Sequence, residues 1–208
     1  MCSSRGWTYE ASDQSLVTRW AGDPFDKGTN HRARNVVVGE TSGRRFIAFD
    51  YTYDVRRSNG GVGSSSTTYR FTVTALSLPV ALPTLQVVPE SWGSRLATGV
   101  GLTSDVDLES DAFNQRFRVT TSSRKFASDV LTPRQMEELL AQPAFCWRIE
   151  GDEILTWSEG EIETDQVGAP AGLLAGILDG IPAFVWRDQG YDPDTFGSGP
   201  TGDPRSAS

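Results

Sequence analysis

The chain has 208 residues and a formal net charge of −8 at neutral pH. This length suits one domain with a substantial core, and neither the apolar content nor the charge is typical of a disordered protein. The net negative charge argues against a general nucleic-acid binder, which needs a broad basic surface. The sequence also has no run of about 18 apolar residues that would span a membrane.

The N-terminal part of the sequence predicts a short helix followed by a β-hairpin. Asp13 is a suitable N-cap for a helix from Gln14 to Trp20. A short apolar strand at Val36–Val38 and a turn at Thr41–Gly43 lead into the clearest strand, Ile47–Val55, where apolar and polar residues alternate.

The middle of the sequence predicts further strands separated by loops. Ser58–Ser66 is rich in Gly and Ser and predicts a mobile loop, and Thr67–Leu78 predicts a long strand followed by a short one at Leu85–Val88. Period-two alternation from Asp105 to Asp111 places four carboxylates on one face of an extended segment, and the same period recurs at Phe117–Thr120.

The best-marked helix of the sequence begins after Thr132. Thr132 is a good N-cap, Pro133 suits the first helical position, and Gln135 completes the pattern of a capping box. Apolar residues then recur at helical spacing until Pro143 stops the helix.

The C-terminal part predicts a second hairpin, a helix and a tail. Phe145–Glu150 and Glu153–Ser158 flank a Gly-Asp turn, and an apolar helical pattern then continues to Val185, with Pro182 expected to kink or split it. Since strands follow one another without long helices between them, we predict an α+β fold, a mostly antiparallel sheet of about seven strands with a few packed helices. Residues 1–187 would form a single domain, and residues 188–208 a disordered, acidic tail rich in Gly, Pro and Ser.

Several motifs resemble those of a known family. The segment Glu109–Leu140, with Glu-Ser-Asp-x-Phe-Asn-x-x-Phe-x-Val and then Ala-x-x-x-Leu-Thr-Pro-x-x-Met-Glu-x-Leu-Leu, is similar to an uncharacterised bacterial family. Gly6–Tyr9, Arg19–Phe25 and Leu178–Trp186 resemble its version in high-GC Gram-positive (actinobacterial) bacteria. Many relatives carry an N-terminal transmembrane helix. The resemblance implies no assigned activity, substrate or catalytic residue.

The sequence offers few candidates for catalysis or metal binding. His31 is the single histidine; beside arginines it would serve as a base only with a partner group, and an ordinary loop residue is the expected interpretation. One His and two distant Cys do not make a zinc site, and the alternating carboxylates lie about 7 Å apart on a strand, too far to converge on one cation. Cys146 is expected to be a buried thiol rather than half of a disulfide. We therefore predict no metal and no cofactor.

One electrostatic feature indicates a binding site. From Met1 to Thr72 there are 10 basic and 7 acidic residues, whereas the remainder has 9 and 20. If the first two long strands pair as a hairpin, its open end gathers six side chains that attract anions: Lys27, His31, Arg32, Arg34, Arg56 and Arg57. Arginine forks suit carboxylate and phosphate groups. Ordinary solvated charges are the competing interpretation.

These observations support three hypotheses. The first is a non-catalytic interaction or scaffold domain that works in the cytoplasm, either free or peripheral to the membrane, and binds a protein partner or an anionic membrane surface. The second, alternative hypothesis is a hydrolase-type enzyme whose carboxylates and arginines converge only in the fold. The third is a subunit of a larger assembly.

Overall fold

A computed structural model describes residues 6–58, 64–93, 104–162 and 167–194. Within these ranges, seven strands form one antiparallel sheet: β1 (Thr8–Ser12), β2 (Thr29–Thr41), β3 (Arg44–Ser58), β4 (Ser64–Pro89), β5 (Ser104–Asp105), β6 (Phe117–Thr121) and β7 (Cys146–Glu159). The helices are a 3-10 helix (Gln14–Thr18), α1 (Glu90–Gly93), α2 (Asp111–Arg116), α3 (Arg124–Val130), α4 (Pro133–Leu140), α5 (Ala169–Asp179) and α6 (Ala183–Asp188). The strand order is β1-β2-β3-β4-β6-β5, and β7 pairs with β4. The predicted α+β class is therefore confirmed.

The sheet separates two cores, which we call the helix side and the loop side. On the helix side, aliphatic residues of the sheet pack against α3–α6, which contribute residues such as Val130, Leu139 and Leu174. On the loop side, the segment containing Leu16, Trp20 and Phe25 covers a cluster dominated by aromatic rings. Alternation along β3 assigns each residue to a side, because successive side chains of a strand point to opposite faces.

The long strands β4 and β7 both reverse direction partway along. The hydroxyl of Thr156 donates to the carbonyl of Cys146 at 2.7 Å, whereas ten residues of extended chain would separate these residues by about 33 Å. The reversal lies at Gly151, whose φ of +61° is the left-handed conformation that glycine tolerates. The first half of β7 pairs with the second half of β4, and the second half of β7 with the first half of β4. This arrangement agrees with the hairpin predicted around Gly151.

The helix boundaries follow the capping signals in the sequence. Thr132 accepts a hydrogen bond from the amide of Gln135 at 3.3 Å, and Pro133 is the first residue of α4, as predicted. Pro182 separates α5 from α6, because its ring and missing N–H interrupt an α-helix. Asp13 caps the 3-10 helix by accepting from the amide of Ser15 at 2.9 Å.

The strand expected from Asp105 to Asp111 was a wrong prediction. β5 ends at Asp105 and α2 begins at Asp111. Ser110 is the N-cap, since its side chain accepts from the amide of Phe113, and Phe113 is completely buried. The helix therefore begins at Asp111. Before it, the side chain of Asn114 bonds both the N–H and the C=O of Leu108, at 3.0 Å and 2.8 Å, in place of strand pairing. In the described part of the chain, no cluster of His, Cys, Asp and Glu has the geometry of a metal site.

Two predictions fall partly on residues outside the described ranges. Of the loop predicted at Ser58–Ser66, residues 59–63 lie outside them, whereas Ser58 ends β3 and Ser64–Ser66 begin β4, so the predicted loop was too long. Of the predicted tail, residues 195–208 lie outside them. The described chain continues past Arg187: Tyr191 packs edge-on against Trp186 with ring centroids 6.0 Å apart, and Arg187 donates to Asp192 at 3.3 Å. No helix in the described ranges is both long enough and apolar enough to cross a bilayer.

Candidate functional site

The register of the first hairpin places the predicted basic residues toward its open end. β2 and β3 pair antiparallel, with Arg32 opposite Thr52 and Arg34 opposite Asp50. Arg56 and Arg57 lie near the C-terminal end of β3, and all four arginines are exposed. Asp50 precedes Arg56 by six residues, so the arginines extend along about 20 Å of strand rather than meeting at one point.

Strand alternation distributes the six predicted residues over both faces of the sheet. Arg32 and Arg34 pair with Thr52 and Asp50, which share the even-numbered face of β3 with Arg56. We call Arg32, Arg34 and Arg56 the arginine face. Three of the six predicted residues belong to the loop side of the sheet: Lys27, His31 and Arg57.

Two bulges in β2 produce this distribution. The register shifts between Thr29 and Arg32 and again between Arg34 and Val37. Each shift contains an asparagine in the left-handed region, Asn30 with φ of 57° and Asn35 with φ of 52°. Asparagine tolerates this conformation better than most residues, and each bulge re-aims the side chains that follow it.

Carboxylates lie between the arginines of the arginine face. Asp54 accepts hydrogen bonds from the Thr68 hydroxyl at 2.7 Å and the Asn30 amide at 3.1 Å. These two bonds, and then the nearby charges of Arg32 and Arg56, lower the pKa of Asp54 below its usual value. Its charge therefore offsets part of the positive potential of this face.

The four arginines predicted to bind anions form no ion pairs within the part of the chain that the structure describes. In the described residues Arg32, Arg34, Arg56 and Arg57 make no salt bridge, a property shared by Arg45 and Arg124. Other arginines are paired, for example Arg44 with Asp179 at 2.8 Å and Arg134 with Glu138 at 2.9 Å. The unpaired guanidinium groups are therefore free to bind an external anion.

The single histidine has a packing role. His31 lies in β2, partly buried, with its Nδ1 atom 2.5 Å from the hydroxyl of Tyr51. The same hydroxyl donates to the carbonyl of Phe25 at 3.0 Å, so the Nδ1 of His31 is the donor toward Tyr51. Burial raises the pKa of Tyr51 above its usual value, which keeps the hydroxyl protonated. His31 thus helps to attach the covering loop segment to the sheet.

A groove of about 780 Å³ lies on the loop side beside the end of β7. We call it the edge groove. Four aromatic side chains line it: Tyr53, Tyr69, Phe71 and Trp92. The rings of Tyr53 and Tyr69 stack with centroids 5.2 Å apart. Charged side chains line it as well: Asp23, Lys27, Arg57, Arg70 and Glu159.

A buried charged cluster on the loop side was not anticipated from the sequence. The guanidinium of Arg148 lies between the rings of Phe25 and Trp157, 5.7 Å and 5.5 Å from their centroids, and 2.9 Å from a carboxylate oxygen of Glu150. Those two charged atoms approach closely, although they are not aligned for a hydrogen bond. Burial lowers the pKa of Arg148, and the charge of Glu150 opposes this effect. The available signal was one arginine flanked by the apolar residues Trp147 and Ile149 in a predicted strand.

A second pair of charges attaches the covering loop to β7. Arg19 donates two hydrogen bonds to Glu153, at 2.8 Å and 2.7 Å. Burial raises the pKa of Glu153, and these bonds from Arg19 oppose the shift. The amide of Ala21 also donates to Glu150 at 3.2 Å. Arg19–Phe25, one of the motifs noted in the sequence, is therefore the segment that covers the aromatic core.

The fold defines an α+β protein built on one antiparallel sheet, with an arginine-bearing hairpin at one end. No family model and no curated protein matches the chain. A similar solved structure is the crystal structure of the mycobacterial trehalose monomycolate transport factor A, TtfA, with 17% identity and a TM-score of 0.57. The match covers 87% of this chain and 92% of that one. At this identity the likeness shows a shared fold, in agreement with the actinobacterial type of domain indicated by the motifs.

Proposed function

We propose that the protein is a non-catalytic interaction domain that docks on an anionic surface through its arginine face. The observation that carries this proposal is the set of exposed arginines without ion pairs on a protein with a net charge of −8. Basic residues near an anionic bilayer contribute about 1 kcal/mol each, so Arg32, Arg34 and Arg56 together would give measurable binding.

The fold neighbour supports this class of function. That protein is described as a transport factor, a description compatible with a non-catalytic role. We propose that the present chain likewise acts within an assembly, at the cytoplasmic surface of the membrane and peripheral to it. The membrane-anchored relatives implied by the sequence resemblance favour the same location.

The alternative of a hydrolase has less support. Arg19 bonds Glu153 and the Ala21 amide bonds Glu150, so both glutamates connect the covering loop to β7, and Arg148, in β7 itself, lies beside Glu150. This structural contact accounts for both pairs without a substrate. We therefore favour the interaction domain.

Binding to lipid vesicles tests the proposal. Sedimentation with vesicles containing phosphatidylserine should retain the protein at low salt, and retention should fall as salt rises, because exposed charges are screened within about 8 Å at physiological ionic strength. The variant Arg32→Gln/Arg34→Gln/Arg56→Gln should lose binding and keep its melting temperature. A double variant, Arg45→Gln/Arg124→Gln, removes two unpaired arginines elsewhere and is the matched control.

The outcomes separate the possible anionic surfaces. Equal retention of the triple variant and the wild type across the salt series would contradict the role of the arginine face. If wild-type protein binds no vesicles, the membrane version fails, and crosslinking of the native protein in its own cells then tests an acidic protein partner.

A further inference from the structure

The first half of β4 has one paired edge and one open edge. β3 pairs with β4 from Ser64 to Leu76, whereas β7 pairs with β4 only from Phe71 onward. The last bond on the β7 edge is donated by Gly160 to the carbonyl of Arg70 at 3.1 Å. In the ranges that the structure describes, no strand pairs with the same edge from Ser64 to Tyr69.

The alternation of an antiparallel strand identifies the main-chain groups on this open edge. The carbonyl of Arg70 points toward Gly160, so the N–H and C=O groups of Thr68 and Ser66 point to that edge too. The corresponding groups of Thr67 and Tyr69 point to the other edge, toward β3. An open edge of this kind is a template for pairing with another extended chain.

The edge groove runs along this open edge. Its lining includes the consecutive β4 residues Thr67 to Phe71, whose side chains alternate between the two faces, as expected of a cleft beside a strand edge. On the loop side the groove presents the rings of Tyr69, Phe71 and Trp92, and on the opposite face Arg70. An added strand with alternating side chains would therefore meet aromatic rings on one face and a guanidinium on the other.

Three basic side chains (Lys27, Arg57, Arg70) and two acidic ones (Asp23, Glu159) line the groove, so its lining favours an acidic strand by an excess of one positive charge. Lys27 and Asp23 form an ion pair at 2.9 Å and offset each other. Arg57 makes no ion pair in the described part of the chain, and Arg70 pairs only with Glu161, in which both side chains are more than half exposed. An exposed pair of this kind contributes little and is easily exchanged for another carboxylate.

We propose that the open edge of β4 binds an extended segment of a partner protein, with alternating apolar and acidic residues, as an additional strand of the sheet. Main-chain hydrogen bonds to Ser66 and Thr68 supply affinity, and the aromatic rings and arginines of the groove select the side chains. This proposal rests on the open edge of β4 and not on the arginine face, although Arg70 and Ser66 share that face of the sheet through their partners Thr52 and Arg56.

Binding of a designed peptide tests this proposal. The probe is a peptide of about seven residues with alternating Glu and Val, the length of an ordinary strand. In amide hydrogen exchange followed by NMR, the peptide should protect the amides of Ser66 and Thr68. It should leave those of Thr67 and Tyr69 unchanged, because these are already bonded to β3. Absence of binding up to about 1 mM peptide, or protection elsewhere only, would overturn the proposal.

Variants separate strand addition from simple charge attraction. The same peptide with N-methyl groups on the two amides that face Ser66 and Thr68 should bind about 30-fold more weakly, since each lost hydrogen bond is worth about fivefold in affinity. Arg57→Gln/Arg70→Gln should also weaken binding, by about fivefold, whereas the control Arg45→Gln should not. Unchanged affinity of the methylated peptide would rule out pairing with the edge.

A last variant distinguishes this site from the proposed docking surface. Arg32→Gln/Arg34→Gln/Arg56→Gln should bind the peptide as the wild type does, even if it no longer binds vesicles. Loss of peptide binding in this variant would place the peptide on the arginine face and overturn the assignment to the edge.

Discussion

The two sides of the sheet are stabilised in different ways. The helix side is a core with more aliphatic than aromatic residues, closed by helices whose apolar residues recur at regular spacing, such as Met136 and Leu139 in α4. The loop side is an aromatic core, closed by a segment with little regular structure and attached by particular contacts, such as Arg19 with Glu153. Burial of apolar surface, which has no preferred direction, is enough to hold the helices on their side of the sheet. The irregular covering segment needs directional hydrogen bonds and ion pairs to define its position.

The largest effect is expected from the buried charge of the loop side. Arg148→Ala removes packing against Phe25 and Trp157 and leaves Glu150 without its partner. We expect the free energy of unfolding to fall by about 3 kcal/mol, the cost of breaking a buried pair by removing one member. Chemical denaturation measures the loss.

A double variant tests whether the charge pair itself is responsible. Arg148→Met keeps most of the volume but leaves the Glu150 carboxylate unpaired, and adding Glu150→Gln removes this charge while retaining an acceptor for Ala21. The double variant should be more stable than Arg148→Met alone by about 1 kcal/mol, because replacing both members of a buried pair is often nearly neutral. Additive losses would show that the two charges are not coupled.

The helix side should be sensitive to crowding. A Cβ atom at Gly180 would lie 1.8 Å from the Oε1 atom of Gln135, which is itself buried. Gly180→Ala should therefore destabilise the protein by about 2 kcal/mol. Gly176→Ala, one turn earlier in α5 and with nothing within 4 Å of the new Cβ, should instead stabilise it by about 0.5 kcal/mol. Equal effects at the two positions would contradict the close contact with Gln135.

The caps on the two sides provide a smaller, direct comparison. Thr132→Ala removes the cap of α4 and should lower stability by about 1 kcal/mol. Asp13→Ala removes the cap of a five-residue 3-10 helix and should cost about 0.5 kcal/mol, at the lower end for a cap. An unchanged denaturation midpoint for Thr132→Ala would mean that the cap is unimportant in solution.

Sequence reasoning succeeded where the signal is local. The cap at Thr132 and the break at Pro182 depend on neighbouring residues, and both are present. The strand expected at Asp105–Asp111 was wrong because the side chain of Asn114 bonds the main chain of Leu108 and a cap at Ser110 begins a helix at Asp111. The environment of Arg148 depends on contacts with residues distant in sequence, which no periodicity reveals.

The candidate site also combines features that local sequence signals predict with features that depend on contacts between distant residues. Antiparallel pairing alone predicts that the arginines lie toward the open end of the first hairpin. Their distribution over two faces depends on the bulges at Asn30 and Asn35, and the sequence does not state where a bulge will form. The open edge of β4 depends on where β7 ends, a consequence of the register between distant strands.

An effect that appears only at alkaline pH concerns Cys146, a free thiol buried in the loop-side core. Burial raises its pKa to about 12, whereas the pKa of a thiol in the unfolded chain is 9.0. The folded state therefore holds the proton more tightly, so its stabilisation is complete below about pH 9 and is lost progressively as the pH rises from about 9 to about 12. Between about pH 7 and about pH 9.5 the expected loss is about 1 kcal/mol.

Comparison of two variants isolates this contribution from that of other titrating groups. Cys2→Ser leaves Cys146 as the single thiol, and Cys2→Ser/Cys146→Ala removes it. Denaturation midpoints measured across this pH range should fall more steeply for the first variant than for the second. In native protein at about pH 8 the thiol should also react with Ellman's reagent only as fast as the protein unfolds, because the thiolate is the reactive form. Rapid labelling of the native Cys2→Ser variant would contradict the burial of Cys146. The same conclusion would follow if the denaturation midpoints of the two variants changed equally with pH, because the covering loop would then not exclude solvent from this core.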